Sequence, residues 1–141
     1  MRRILLIMIG ASMLLYSAFS RDGGSGVVTD SVTGLIWQDN ETVERTWVEA
    51  ISYCESLTLE GNIDWRLPNI KELLSIVDYS TSNPAISSVF QNTIISYPFR
   101  YWSSTTHDGT EYARSVLFYY GYTVGHSKSL SNYVRCVTSG Q

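Results

Sequence analysis

The spacing of apolar residues predicts a first helix that begins near residue 46. Apolar side chains recur at intervals of three and four residues, at Trp47, Ala50, Ile51, Cys54 and Leu57. This spacing puts them on one face of a helix. Thr46 stands at the N-cap position, and Glu49 follows three residues later as its capping-box partner. The pattern therefore predicts a helix that turns Cys54 towards the core.

Residues 61–74 predict an extended segment that leads into a second helix. Leu67 precedes a proline, which disfavours the helical region for it and favours extended backbone. Trp65 and Leu67 are two residues apart, so they face the same way and can pack beneath that helix. Asn69 stands at the N-cap, with Glu72 as its capping-box partner. We expect the helix to run from Asn69 to about residue 77.

The polar residues of this segment allow two interpretations. Asp64 and Glu72 have the chemistry of a carboxylate pair, with Arg66 as an anion clamp. The alternative is a structural Arg66 that is salt-bridged to carboxylates and fixes a loop. We favour the structural role, because no nucleophile, histidine or metal cluster lies nearby in the sequence. This predicted structural motif consists of Asp64, Trp65, Arg66, Pro68, Asn69, Glu72 and, further along the chain, Trp102.

The rest of the chain has the character of strands and turns. A hairpin is predicted from residues 27–28 and 35–38, which flank the turn at residues 30–34. Residues 78–92 form a long irregular loop, which Ile86, Val89 and Phe90 anchor to the core. Further strands are predicted at residues 101–105, 112–120, 122–125 and 133–137, with a polar loop between the last two. Helices followed by strands predict an α+β domain, with two short helices packed on an antiparallel β-meander.

The N-terminus has the pattern of an export signal. Arg2 and Arg3 precede the apolar run from Ile4 to Leu15, and a small-x-small motif follows at residues 18–20. We therefore expect a signal peptide over residues 1–20, a flexible leader over 21–26 and one domain over 27–138. The alternative is an uncleaved anchor, which is the one route by which this chain is expected to contact a membrane. Either way we expect an extracytoplasmic location, in the periplasm, at the cell surface or secreted.

The charge balance argues against a nucleic-acid partner. Without Arg2 and Arg3, the ten basic residues become eight against thirteen acidic ones, a net charge of −5. A nucleic-acid-binding surface is ordinarily basic. The chain also has ten tyrosines and four tryptophans, a composition that suits an extracellular binding surface.

Cys54 and Cys136 are the two cysteines of the sequence. In an exported protein the simplest prediction is one disulfide between them. It would close a loop of roughly 80 residues and add about 4 to 5 kcal/mol of stability in the chain-entropy model. Two thiols are too few for a structural zinc site, and His107 and His126 lie in different predicted loops. We expect no metal and no cofactor.

The late aromatic strands are the best candidates for a ligand surface. Tyrosines with nearby amides and hydroxyls suit a saccharide or a protein partner. The alternative is that these tyrosines only pack across strands. Ser103 and Ser104 lack a nucleophile-elbow motif, so we predict no enzymatic activity. The candidate ligand-binding residues are Tyr112, Arg114, Tyr119, Tyr120, Tyr122, His126, Lys128 and Asn132.

Taken together, these motifs resemble a known family. They occur in order as residues 30–37, 47–54, 61–73 with D-W-R-L-P, 101–105 with Y-W-S-S, 113–116 and 134–137 with R-C-V. The series resembles the bacterial domain family, of unknown function, typified by the C-terminal domain of the Legionella collagen-like adhesin, Lcl. The resemblance covers essentially all of residues 27–138.

The resemblance implies a C-type-lectin-like fold, the same Cys54–Cys136 bridge and an extracytoplasmic role in binding. It also makes a trimer one alternative for the oligomeric state, which otherwise stays open. The chain has no collagen-like stalk, and its acidic charge argues against the sulfated polysaccharides that the adhesin binds. It lacks the E-P-N and W-N-D signatures of calcium-dependent lectins. We therefore predict an adhesin-like or lectin-like protein that binds a glycan or an envelope protein. One alternative is a structural or assembly component of the envelope with no small ligand. A less favoured alternative is an enzyme related to sulfatase-modifying oxygenases.

Overall fold

The computed structural model describes residues 18–140. This part of the chain contains two helices and two β-sheets, joined by turns and loops. The helices are α1 (Trp47–Ser56) and α2 (Ile70–Ser75). The strands are β1 (Phe19–Ser20), β2 (Val27–Asp30), β3 (Ile36–Gln38), β4 (Val43–Arg45), β5 (Tyr101–Thr106), β6 (Tyr112–Leu117), β7 (Tyr122–Ser127), β8 (Asn132–Val134) and β9 (Val137–Thr138). The α+β class is confirmed. The predicted signal peptide lies outside the described residues except for its last three.

Both helices begin at the predicted capping boxes. The backbone N–H of Thr46 donates to Glu49 Oε2 over 3.0 Å. At α2 the exchange is reciprocal, since Glu72 N donates to Asn69 Oδ1 over 2.8 Å and Asn69 N donates to Glu72 Oε1 over 3.0 Å. These bonds satisfy backbone N–H groups that have no partner within the helix. The local sequence therefore determines where each helix starts.

The strands divide between two sheets rather than forming one meander. The first sheet has the order β1-β2-β3-β9 and the second has the order β4-β8-β5-β6-β7. One antiparallel meander runs over β5, β6 and β7 and another over β1, β2 and β3, whereas β8 lies parallel to β5. The segment predicted as one last strand is thus split, because β8 belongs to the second sheet and β9 crosses to the first.

The predicted strand over residues 112–120 ends early, at Leu117. Residues 118–121 form a turn that closes on Gly121, which has φ +83°. A Cβ at this position would lie 2.7 Å from Val77 Cγ1, so the turn needs a glycine. Tyr119 and Tyr120 consequently lie in a turn and not on a strand, and the alternation of strand faces does not apply to them.

The core consists of two groups of buried side chains. One includes Leu73, Ile76, Phe90, Tyr101 and Phe118, between α2 and the sheets. Ile86 and Phe90 are 5% exposed, and Val89 packs against this group, so the predicted anchoring of the long loop is confirmed.

The second group surrounds the predicted disulfide. Cys54 and Cys136 are bonded, with their Cα atoms 5.5 Å apart and a sequence separation of 82. Ala50, Trp65 and Trp102 pack around this bridge and are almost fully buried. The bridge therefore ties α1 to the segment between β8 and β9.

The N-terminal end of the described chain contacts the domain closely. Strand β1 pairs with β2, and the ring of Phe19 meets that of Phe90 edge-on, with centroids 5.4 Å apart. Arg21 Nη1 donates to Asp39 Oδ2 over 2.6 Å. Arg21, the first residue of the predicted flexible leader, thus contacts Asp39, and the extent of the leader stays a prediction. None of the helices within residues 18–140 is long and apolar enough to cross a membrane.

Candidate functional site

The DWRLP segment (residues 64–68) takes a structural role. The two terminal guanidinium nitrogens of Arg66, Nη1 and Nη2, each donate to one carboxylate oxygen of Glu72 over 2.6 Å. Hydrogen bonding from Arg66 lowers the pKa of Glu72. The backbone of Arg66 also exchanges hydrogen bonds with Val137, over 3.0 and 2.9 Å. Asp64 is exposed ahead of this bridge. The arrangement fixes the approach of the chain to α2; the structural role of the motif stays a prediction.

The other members of this motif satisfy backbone groups nearby. The indole of Trp65 donates to the carbonyl of Asn62 over 3.0 Å, and that of Trp102 donates to the carbonyl of Arg45 over 2.9 Å. The carbonyl of Pro68 accepts from Ser104 N over 2.8 Å. The bond from Ser104 holds the segment against β5, and Trp65 and Trp102 pack with Ala50 and Cys54 of α1.

A buried ion pair, not predicted from the sequence, lies between the two sheets. Arg135 Nη1 donates to Asp39 Oδ1 over 2.7 Å, and the two side chains are 2% and 0% exposed. Arg135 also donates to the carbonyl of Gln38 over 2.6 Å. Its guanidinium lies 4.9 Å from the ring centre of Phe90 and 5.6 Å from that of Tyr101. We call Asp39 and Arg135 the buried anchor.

The buried anchor holds the end of the long loop in place. The carboxylate of Asp39 accepts from the backbone N–H groups of Gln91 and Asn92 over 2.8 and 3.0 Å. Arg135 donates to the carbonyl of Asn92 over 2.9 Å and to Thr93 Oγ1 over 2.7 Å. A buried carboxylate and guanidinium therefore supply the partners that this stretch of backbone would otherwise find in water.

Four tyrosines contact one another at the end of β6 and β7, and we call them the tyrosine patch. The rings of Tyr120 and Tyr122 are stacked, with centroids 5.2 Å apart, and Tyr119 meets Tyr120 edge-on at 4.5 Å. Tyr97 meets Tyr119 and Tyr120 edge-on at 6.4 and 6.2 Å. Tyr97, Tyr120 and Tyr122 remain 64%, 44% and 59% exposed. The sequence pointed to three of these residues and missed Tyr97.

The turn that carries the tyrosine patch is joined to the long loop. The N–H of Asn83 donates to the carbonyl of Tyr119 over 2.8 Å, and that of Ala85 donates to the carbonyl of Phe118 over 2.7 Å. Tyr97 belongs to the same connection between α2 and β5. The signal for Tyr97 in the sequence was only its place in a long loop, which is where binding residues often lie.

The remaining candidate ligand residues lie towards the opposite end of β6 and β7. Tyr112 is 46% exposed there, and Arg114, next along the same face of β6, is half-buried. Lys128 Nζ lies 3.9 Å from the ring centre of Trp47. The eight candidates predicted from the sequence therefore form two separate groups, one at each end of these strands.

Two members of the second group are less accessible than the sequence suggested. His126 lies within β7 rather than in a loop, and its Nδ1 is 2.7 Å from Asn132 Nδ2. Asn132 is only 5% exposed. Burial lowers the pKa of His126. This side-chain contact links β7 to β8 across the two strands between them, beside Trp102.

A cleft of about 610 Å³ opens within the long loop, between the buried anchor and the turn at residues 118–121. Ile86 and Phe90 contribute apolar surface to it. Pro84 and Ile95 are further apolar lining residues. The rest are hydroxyl or amide side chains and one carboxylate: Asp78, Thr81, Ser82, Ser87, Ser88, Gln91 and Thr93. The volume falls in the range typical of small-molecule sites in proteins.

A family model, that of the Lcl C-terminal domain, matches residues 26–138 of the chain. The match includes both helices, strands β2 to β9, the tyrosine patch and the buried anchor. The chain belongs to the Lcl C-terminal domain family. Among curated proteins, none matches the chain.

In this Lcl C-terminal domain, the motifs with possible reactive side chains serve the structure. Ser103 is fully buried, and its hydroxyl donates to the carbonyl of Arg114 over 2.7 Å. Both cysteines are joined in the disulfide. Within residues 18–140 there is no group of three or more histidine, cysteine or acidic side chains arranged to hold a metal ion.

Proposed function

We propose that this Lcl C-terminal domain is an exported binding protein that recognises a glycan or a protein ligand through the tyrosine patch. The observation that carries the proposal is the clustering of Tyr97, Tyr119, Tyr120 and Tyr122 at one end of the sheet, with three rings substantially exposed. Tyrosine supplies a large, rigid contact area with a polar hydroxyl at low entropic cost. Scattered exposed aromatics are ordinary, but ring contacts among four of them form a continuous surface.

The proposal places the domain outside the cytoplasm, at the cell envelope or surface. The disulfide supports this location, because such bonds persist in oxidising compartments. We also propose that the α+β arrangement is C-type-lectin-like, with two helices, two sheets and a disulfide from α1 to the end of the domain. No enzymatic activity is assigned, since both thiols are oxidised in the bridge and Ser103 is buried.

The test is a binding screen of residues 18–141 against neutral and sulfated glycans and envelope proteins, with and without chelator. The deciding variant is Tyr120→Ala combined with Tyr122→Ala. Removing two stacked anchors from a contact surface is expected to weaken binding at least tenfold, by analogy with interface hot spots.

Tyr112→Ala is the matched control, because Tyr112 is 46% exposed at the other end of β6 while Tyr120 is 44% exposed. It is expected to leave affinity within about twofold, as for a residue outside the contact surface. If Tyr112→Ala abolished binding and the double variant did not, the ligand would lie at the opposite end of the sheet. That result would overturn the assignment to the tyrosine patch.

A further inference from the structure

We propose that the cleft within the long loop is a subsite for an uncharged saccharide, continuous with the tyrosine patch. This inference rests on the proposed function and narrows it to one class of ligand. It depends on three features of the cleft: the chemistry of its wall, its charge and the rigidity of its position.

The wall of the cleft matches the chemistry of a sugar ring. Sugars present hydroxyl groups around the ring and apolar C–H groups on its faces. Ser87, Ser88 and Gln91 offer short groups that both donate and accept hydrogen bonds. The half-buried Pro84 and Ile95 offer apolar surface beside them, above the buried Ile86 and Phe90. A site with a few polar groups on an apolar base is the usual form of a small-molecule site.

The charge of the cleft favours a neutral ligand over an anionic one. Within the described part of the chain, Asp78 is the one charged side chain that lines it. Hydrogen bonds from the hydroxyl and the backbone N–H of Ser80 lower the pKa of Asp78. The carboxylate therefore stays ionised at neutral pH, and it repels sulfate and carboxylate groups. No basic side chain among the lining residues offsets this repulsion of anions.

Both sides of the cleft are held in place from behind. The buried anchor binds the backbone of Gln91 and Asn92, and Arg135 binds the hydroxyl of Thr93. On the other side, Asn83 and Ala85 are bonded to the turn of the tyrosine patch. A preformed wall lowers the entropic cost of binding. These bonds also explain why an irregular loop holds a cleft of this size.

The cleft and the tyrosine patch are joined through the same segment of chain. Tyr79 directly follows Asp78, and Tyr97 lies two residues after the lining residue Ile95. A Cβ at Gly121 would lie 3.8 Å from the ring of Tyr79, so this ring reaches the turn that carries Tyr120. A saccharide longer than one ring would therefore contact the cleft with one unit and the tyrosines with the next.

The experiment measures affinity by calorimetry for pairs of oligosaccharides that differ only by a sulfate group. The cleft variant is Ser88→Ala combined with Gln91→Ala; it removes side-chain groups and keeps the backbone N–H that Gln91 gives to Asp39. The patch variant is Tyr120→Ala combined with Tyr122→Ala. Thr110→Ala, an exposed hydroxyl in the turn before β6, serves as the control.

The expected result is that the neutral member of a pair binds more tightly, and that both double variants weaken it about tenfold or more while Thr110→Ala does not. Asp78→Asn, which keeps an acceptor for Ser80, is expected to reduce the preference for the neutral member. If Asp78→Asn left that preference unchanged, the assignment of charge selection to the cleft would be overturned.

Other outcomes separate this inference from the proposed function. If the patch variant abolished glycan binding and the cleft variant left it intact, the subsite would be overturned and the proposed function upheld. The same holds if no glycan bound and a protein partner contacted the tyrosine patch. If no ligand were sensitive to the patch variant, the proposed function would fall, and the subsite with it.

Discussion

Two of the carboxylate–guanidinium pairs in residues 18–140 have almost equal length and very different surroundings. Arg66 and Glu72 lie 2.6 Å apart with side chains 46% and 17% exposed. Arg135 and Asp39 lie 2.7 Å apart with side chains 2% and 0% exposed. Partners of the first pair are six residues apart in sequence, and those of the second are 96 apart.

The difference in burial separates the roles of the two pairs. The exposed pair reinforces a helix start that the capping box of Asn69 and Glu72 already specifies. The buried pair joins segments from three distant parts of the chain and positions one wall of the cleft. Breaking these two ion pairs should therefore lower the free energy of unfolding by different amounts, because an unpaired charge costs far more inside a protein than in water.

The largest effect is expected from Asp39→Ala. It leaves the guanidinium of Arg135 buried without its carboxylate and removes the acceptor of two backbone N–H groups. Breaking a buried pair in this way typically lowers the free energy of unfolding by about 3–5 kcal/mol. Denaturant unfolding measures the loss, and hydrogen exchange is expected to accelerate most at residues 90–93.

The matched control for this variant is Asp108→Ala, whose side chain is 99% exposed. It is expected to change stability by less than about 0.5 kcal/mol. An Asp39→Ala protein as stable as the Asp108→Ala protein would contradict the role given to the buried anchor.

A smaller effect is expected from Arg66→Ala. The pair is partly solvated, so its loss should lower the free energy of unfolding by about 1 kcal/mol. The capping box of α2 remains, and the cleft is not in contact with Arg66. Stability should therefore fall while ligand affinity stays the same. A loss of affinity without a loss of stability would instead make the DWRLP segment a binding site.

The smallest effect concerns pH and the variant Glu72→Gln, which keeps a side chain suited to the capping box and removes the charge. The pKa of Glu72 in the folded domain lies below its ordinary value of 4.5. The carboxylate therefore contributes stability above that pH, and the contribution is lost as pH falls through the folded pKa. In thermal unfolding, the melting temperature of the wild-type domain should exceed that of Glu72→Gln at pH 7, and the difference should shrink as the pH falls. A gap independent of pH would contradict the assignment.

The features that the sequence predicted are those encoded within a few residues. Capping boxes at Thr46 and Asn69 and the hairpin of β2 and β3 all depend on near neighbours. The disulfide was also predicted, because the sequence offers only one pair of cysteines. The family resemblance was confirmed over residues 26–138.

The features that the sequence did not reveal depend on long-range pairing. Nothing in the pattern around Asp39 shows that Arg135 will reach it, so Arg135 was noted only as part of a motif. The parallel pairing of β5 with β8 and the crossing of β9 to the first sheet were missed for the same reason. Tyr97 joined the tyrosine patch through the path of an irregular loop, which no periodicity encodes.

Strand β1 has a consequence for aggregation. It covers the outer edge of β2, where Ser20 pairs with Thr29. Cleavage after Ser20, where the sequence predicts it, would remove this cover and leave backbone N–H and C=O groups of β2 unpaired. Bare strand edges recruit further strands and lead to aggregates. The position of such a cut would then determine whether the edge of β2 is covered or open to pairing with another strand.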